Sequence, residues 1–266
     1  MCTFASKTST MGSDHRIYGL VGKKLGHSFS RDFFGEKFKK EGINAEYVNY
    51  EIPTINQFPE IIKATPGIAG LNVTIPYKES VIQFLDALAP MAARIGAVNT
   101  IQITRTESGV RLTGHNTDII GFTESIRPHL VKPHRKALML GSGGAAKAMR
   151  AGLETLGLTI ESVSRHAGQS DYTYEDLTPE IIQEHTVIVN ATPLGMWPET
   201  ETAPDIPYGA IGPEHVIFDA VYNPDPTLFL KKCQEQGADV ISGIGMLHGQ
   251  AIAAWKIWNG KTLISE

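Results

Sequence analysis

The chain has 266 residues, 42% hydrophobic and 20% charged, with a formal net charge of −4 and two cysteines. That composition gives an ordinary globular protein with room for one large or two modest domains. It excludes a general basic surface for nucleic acid and any apolar run near the ~20 residues that span a bilayer.

Residues 1–15 are mostly polar, lack the apolar core of a signal peptide, and read as a disordered extension or a cloning remnant. From Arg16 onward, short apolar runs alternate with amphipathic stretches. Ile17–Val21 reads as a strand, Arg31–Glu41 as a helix with Phe34 and Phe38 on one side, and Glu46–Glu51 as a strand. Ile55–Ala64 (helix), Ile68–Val73 (strand) and Tyr77–Leu85 (helix) continue the series. This alternation predicts a mostly parallel sheet with helices on both faces. Val98–Thr104 and Val110–Thr113 flank Glu107-Ser108-Gly109 as a hairpin. A helix from about Thr117 to Ile126 then meets Pro128 and Pro133, which mark a hinge region.

A second series follows, with strands Ala137–Leu140, Leu158–Ser164, Val187–Asn190, Val216–Asp219 and Asp239–Ser242. The amphipathic helix Met246–Asn259 carries Trp255 and Trp258 as packing residues. The pattern predicts an α/β protein of two domains with a cleft at the carboxyl ends of the strands. Cys2 and Cys233 stand far apart without metal-ligand companions, which argues against a disulfide framework and fits a reducing cytoplasm. The histidines lack ligand-like spacing, so no metal is expected.

Between the first two strands of the second series lies Gly141-Ser142-Gly143-Gly144-Ala145-Ala146. Glycines after a strand and before a helix permit a tight turn and close backbone approach, and the helix start offers free N–H groups to a pyrophosphate. The same run also serves as a plain strand–helix turn in many α/β proteins. At the end of the next strand an NAD-binding fold usually shows Asp or Glu for the ribose hydroxyls. Here Ser164 is followed by Arg165, whose guanidinium suits a 2′-phosphate and favours NADP over NAD.

Four polar clusters sit where predicted elements end. Ser28 and Ser30 precede the first helix, where hydroxyls either cap it or bind a carboxylate. Thr74 and Lys78 follow the third strand; a lysine there is a solvated surface residue or, in a cleft, a proton-transfer group whose pKa desolvation would lower. Asn99 offers a carboxamide to its own backbone or to a ligand. Asp118 caps the helix that follows, or pairs with a lysine for proton exchange with a hydroxyl.

In order, these clusters resemble the shikimate dehydrogenase family, and the resemblance runs from Tyr18 to Trp258. It rests on His27-Ser28-Phe29-Ser30, Asn72–Lys78, Gly96–Thr100, Asn116-Thr117-Asp118 and the Gly141 turn. Asn190–Met196, Asp219–Pro224 and Gly243–Gln250 extend it. The resemblance implies reversible NADPH-dependent reduction of 3-dehydroshikimate to shikimate, in aromatic amino-acid biosynthesis. Ser28, Ser30 and Tyr222 are then expected at the substrate carboxylate, and Thr74, Lys78, Asn99, Asp118 and Gln250 at its hydroxyls, with Lys78 as acid/base paired with Asp118. Gly141, Ser142, Gly143, Gly144 and Ala145 would cradle the pyrophosphate, Ser164 and Arg165 the ribose phosphate, and Thr192, Ala220 and Gly243 would approach the nicotinamide.

The implied organisation is a substrate-binding catalytic domain over 16–117, a Rossmann-type NADP domain over 118–242, and a C-terminal segment, 243–266, returning to the first. A cytoplasmic monomer or homodimer with a cleft that closes on its ligands is expected. Two departures stand out. Arg31 occupies a position where the family commonly has proline, and Ser164-Arg165-His166 with Gln169 stands where Asn-Arg-Thr and a second basic residue are usual. Arg165 would therefore hold a 2′-phosphate with less help, His166 contributing when protonated. The alternatives are a quinate/shikimate dehydrogenase able to use NAD, and a non-catalytic nucleotide or metabolite sensor, against which the Lys78 and Asp118 pair argues.

Overall fold

The computed structural model describes residues 15–26, 28–107 and 109–260. The expected extension over 1–14, His27, Ser108 of the hairpin turn and residues 261–266 of the C-terminal segment lie outside the described residues.

The first half runs β1 (Arg16–Gly22), α1 (Phe29–Glu41), β2 (Ala45–Glu51), α2 (Phe58–Ala64), β3 (Ile68–Val73), β4 (Ala87–Leu88), α3 (Pro90–Ile95), β5 (Thr100–Thr106), β6 (Gly109–His115) and α4 (Asp118–Ile126). The second half runs β7 (Lys136–Leu140), α5 (Gly144–Thr155), β8 (Thr159–Ser164), β9 (Tyr172–Thr173), α6 (Pro179–Glu184), β10 (Val187–Asn190), β11 (Val216–Asp219), α7 (Leu228–Glu235), β12 (Asp239–Ser242) and α8 (Ile244–Trp258).

Two six-stranded sheets result, ordered β2-β1-β3-β5-β6-β4 and β12-β11-β10-β7-β8-β9. The second is parallel throughout. In the first, β5 runs antiparallel to both β3 and β6, because the hairpin reverses the chain there. That reversal matters for the site. The carboxyl ends of β1, β3 and β6 and the amino end of β5 all fall along one edge.

Local chemistry sets most boundaries. Ser28 caps α1, its hydroxyl accepting the Arg31 amide, and Gly42 at φ 63° ends the helix in the left-handed region. Tyr77–Leu85 is not the expected α-helix; the segment winds as a 3₁₀ helix over Ser80–Phe84. The chain here must travel from the end of β3 to the far sheet edge in few residues, and the tighter helix rises further per residue. The Asp86 carboxylate then accepts the Leu112 amide at 2.7 Å and seats β4 beside β6. The short helices α3, α6 and α7 are additions to the sequence reading. Pro90, Thr178-Pro179 and Thr227 are their start signals, and the Thr178 and Thr227 hydroxyls both accept helix amides.

Helix α8 lies against α4 and returns to the first sheet. A Cβ on Gly121 would sit 2.3 Å from the Met246 carbonyl oxygen, so only glycine permits this approach. At its far end the Trp258 indole donates to the Ile101 carbonyl at 3.1 Å, within a core that includes Tyr18, Phe34, Phe38 and Trp255. Among the described residues no helix is long and apolar enough to cross a membrane, and no cluster of three or more His, Cys, Asp or Glu is placed to hold a metal ion.

Candidate active site

Each group on the common edge of the first sheet is delivered by a different element. Lys78 follows β3, Asn99 precedes β5, and Asp118 begins α4 directly after β6. They meet largely out of solvent. Lys78 Nζ donates to Asp118 Oδ2 at 2.6 Å, and their side chains are 13% and 7% exposed. Asn99 Nδ2 donates to the other oxygen, Asp118 Oδ1, at 2.8 Å. A lysine and a carboxylate retained together this far from bulk water interact more strongly than a surface pair.

A buried scaffold behind the pair sets its orientation. Asn99 Oδ1 accepts the Thr117 amide at 2.7 Å and lies 3.1 Å from the Thr117 hydroxyl and 3.2 Å from that of Thr100. The Asn99 amide can therefore turn only one way, its NH₂ toward Asp118 and the cleft. Asn72 Nδ2 donates to the Asn99 carbonyl and to Thr100 Oγ1, both at 3.1 Å, and Asn72 Oδ1 accepts from the Tyr47 hydroxyl at 2.8 Å. Burial pushes the Tyr47 phenol far above its usual range, so it stays a donor; Ser30 lies beside it. Tyr47, Asn72, Thr100 and Thr117 received no role from the sequence alone. The signal that could have found them was polar residues inside otherwise apolar strand ends.

The other substrate-side candidates lie at the start of α1, after β3, on α8 and after β11. Ser30 is 8% exposed and Ser28 half-buried at the start of α1. Thr74 is half-buried directly after β3, its amide donating to the Val21 carbonyl at 2.9 Å. Gln250 sits on α8, 9% exposed, its Nε2 donating to the Leu247 carbonyl at 2.9 Å. Tyr222 is 39% exposed on the turn after β11. Arg31 is exposed in the first turn of α1.

In the second sheet β7 has β8 on one side and β10 on the other, so the strand order reverses there and opens a crevice. The glycine turn fills that point. Gly141 takes φ 106°, and a Cβ on it would lie 3.1 Å from Thr192 Cγ2 after β10. No side chain caps α5, whose N-cap is Gly143, so its first-turn amides face an incoming anion. Ser142 and Gly143 are exposed, while Gly144 and Ala145 are half-buried. These residues fit a dinucleotide pyrophosphate. A Cβ on Gly144 would lie only 3.4 Å from Lys78 Cβ, so the turn and the lysine share one cleft.

At the end of β8, Ser164 is 8% exposed and hydrogen-bonded within its own loop: its hydroxyl donates to the His166 carbonyl at 2.9 Å and receives Ser170 Oγ at 2.9 Å. Arg165 and His166 are exposed beyond the strand end. Ala220 and Gly243 follow β11 and β12, and a Cβ on Gly243 would lie 2.5 Å from the Ala220 carbonyl oxygen, which brings those two turns together.

The chain is similar to known proteins over most of its length. Residues 20–101 match the family model described as the shikimate dehydrogenase substrate binding domain. A shikimate dehydrogenase (NADP(+)) from Symbiobacterium thermophilum is 34% identical, covering 96% of this chain and 92% of that protein. The crystal structure of shikimate 5-dehydrogenase from Thermus thermophilus in complex with NADP(H) and shikimate superposes with a TM-score of 0.80 at 28% identity, covering 92% of this chain and 94% of that one. That of the Listeria monocytogenes enzyme in complex with shikimate and NAD gives a TM-score of 0.79 at 26% identity, covering 97% and 96%.

Proposed function

The chain belongs to the shikimate dehydrogenase family, and from that premise we propose that it catalyses the reversible NADP-dependent interconversion of shikimate and 3-dehydroshikimate. The observation that carries this reading is the nearly buried Lys78–Asp118 pair, 2.6 Å long, beside the glycine turn at the switch point of a parallel sheet.

NADP, when bound, supplies the hydride chemistry. The chain's own residues supply position and one mobile proton. In the reduction direction the Lys78 ammonium donates a proton to the carbonyl oxygen of the substrate, and in oxidation Lys78 takes it back from the hydroxyl. Asp118 steadies the ammonium and accepts from a neighbouring hydroxyl. Asn99, with its oxygen engaged by Thr117, offers only N–H to a substrate oxygen. Thr74 and Gln250 complete the hydroxyl contacts, and Ser28, Ser30 and Tyr222 hold the carboxylate. Gly141 through Ala145 cradle the pyrophosphate, Ser164 and Arg165 the 2′-phosphate, and Thr192, Ala220 and Gly243 flank the nicotinamide.

We divide the chain functionally into residues 16–117 for substrate, 118–242 for cofactor, and 243–266 returning to the first part. We place it in the cytoplasm as a monomer or homodimer. Initial rates of coenzyme reduction, with shikimate or quinate crossed against NADP or NAD, test the reading. Turnover of shikimate with NADP supports it. Efficient turnover of quinate, or preference for NAD, moves the chain to the broader quinate/shikimate group. Nucleotide binding without any turnover makes it a sensor.

A further inference from the structure

Beneath the cofactor-side turns lies a carboxylate to which the reaction gives no task. Asp219, the last residue of β11, is fully buried. Its Oδ1 accepts from Asn190 Nδ2 at 2.9 Å and from the Val221 amide at 3.0 Å, and its Oδ2 accepts from the Thr227 hydroxyl at 2.6 Å. None of these donors is cationic. Burying a carboxylate among neutral donors is costly, and desolvation pushes this carboxyl up to about 6. An apolar residue would fill the space at lower cost, so the bonds themselves must matter.

Each bond leads to a different element. Asn190 ends β10 in register with Asp219. Because its NH₂ faces Asp219, its Oδ1 is turned to receive the Thr192 amide at 3.0 Å and the Thr192 hydroxyl at 2.6 Å. Val221 belongs to the turn that carries Ala220 and Tyr222. Thr227 caps α7, accepting the Leu230 amide at 3.3 Å. One carboxylate is thus shared by two turns at the mouth of the cleft and by the helix behind them.

We propose that Asp219 is a positioning residue that holds the Thr192 turn and the Ala220–Tyr222 turn in one geometry, so that the nicotinamide end of the cofactor and the substrate carboxylate are aligned from a single buried point. The identity of those ligands rests on the dehydrogenase reading above.

Three variants test this: Asp219→Ala, Asp219→Asn and Asn190→Ala. The readouts are amide hydrogen exchange of the free protein, NADPH titration by fluorescence, and the separate Michaelis constants. Asp219→Ala leaves buried donors unmet and should speed exchange at Thr192 and Val221 by about tenfold, with a similar loss of NADPH affinity. The Michaelis constant for shikimate should rise with it, through Tyr222. Asp219→Asn keeps an oxygen toward Asn190 and Val221 and turns its NH₂ to Thr227, so it should restore most of both. Asn190→Ala cuts only one arm, so exchange should quicken at Thr192 but not at Val221, with NADPH affinity reduced.

Loosening confined to the start of α7 with normal NADPH affinity would overturn the proposal, since Asp219 would then serve only the helix cap. Asp219→Asn failing as badly as Asp219→Ala would overturn it too, because charge rather than bond geometry would be responsible. Should Asp219→Ala not fold, Asn190→Ala decides alone: reduced affinity supports the proposal and normal affinity overturns it. A wild-type protein that binds NADPH without turning over shikimate would refute the dehydrogenase reading, while the exchange and titration arms would still decide the role of Asp219.

Discussion

Lys78 and Asp118 are forty positions apart, yet their side chains meet at 2.6 Å. A proton-transfer group in this setting contributes ~10²–10⁴ to the rate. Lys78→Ala should therefore lower kcat by about that factor while the protein remains folded, as stopped-time assays alongside circular dichroism would show; an undiminished kcat would remove Lys78 from the reaction. Arg165 is exposed directly after β8, and we propose that it acts through charge at a single ligand group. Arg165→Ala should raise the Michaelis constant for NADP by about tenfold or more and leave that for NAD nearly as it was. Equal effects on both would show that Arg165 does not read the 2′-phosphate. Both residues stood out as candidates in the sequence, because a lysine past a strand end and an arginine replacing an acid are local signals. The Asn99 orientation was not legible, since it depends on Thr117 and Thr100 from two other segments.

Helices and strands followed their periodicity where a single face is buried, as in α1 with Phe34 and Phe38 buried. Tyr77–Leu85 carried a helix-like pattern, but the span it must bridge between β3 and the sheet edge selected the 3₁₀ form. Packing between elements is tightest where α4 meets α8. Alanine in place of glycine inside a helix normally gains about 1 kcal/mol. At Gly121 the added methyl would lie 2.3 Å from a backbone oxygen, which cannot swing away as a side-chain tip would. Overpacking should win, and Gly121→Ala should lose about 1–3 kcal/mol in urea unfolding. A more stable variant would mean that α8 can slide along α4.

The two halves touch across the cleft through the Gly144–Lys78 approach, through two exposed ion pairs, Glu79–Lys147 at 2.7 Å and Arg94–Glu154 at 2.8 Å, and through a buried apolar cluster of Ile95, Ala97, Ile119, Ala148 and Ala151. Exposed pairs contribute at most about 1 kcal/mol each, so the buried cluster and not the ion pairs is the firm part of this joint. We propose that the cleft closes on its ligands; small-angle scattering should then show a smaller radius of gyration with NADP and shikimate together than with neither, and an unchanged radius would count against closure. Global stability also carries the cost of ionising Asp219. Its folded value, about 6, lies above the unfolded carboxylate range near ~4. Its favourable contribution is therefore complete below pH ~4 and is lost as pH rises through about 6. Relative to Asp219→Asn, the wild type should lose about 2 kcal/mol of unfolding free energy between pH 4 and 7. A pH-independent difference would show that Asp219 does not titrate in that window.

The sequence by itself determined the two β–α series, the glycine turn after β7, the arginine after β8 and the short polar motifs, because each depends on neighbours within a few residues. The hairpin of β5 and β6 was also legible, but only the tertiary structure decided that β5 runs against β3 as well, which puts Lys78, Asn99 and Asp118 on one edge. It also decided that Asn72, Thr100 and Thr117 orient Asn99, and that Asp219 bonds both to Asn190, which holds the Thr192 turn, and to the Val221 amide of the other turn. Those arrangements rest on hydrogen bonds between residues far apart in the chain. A single strand's pattern of apolar and polar residues records that a polar group is buried, but not which partner satisfies it.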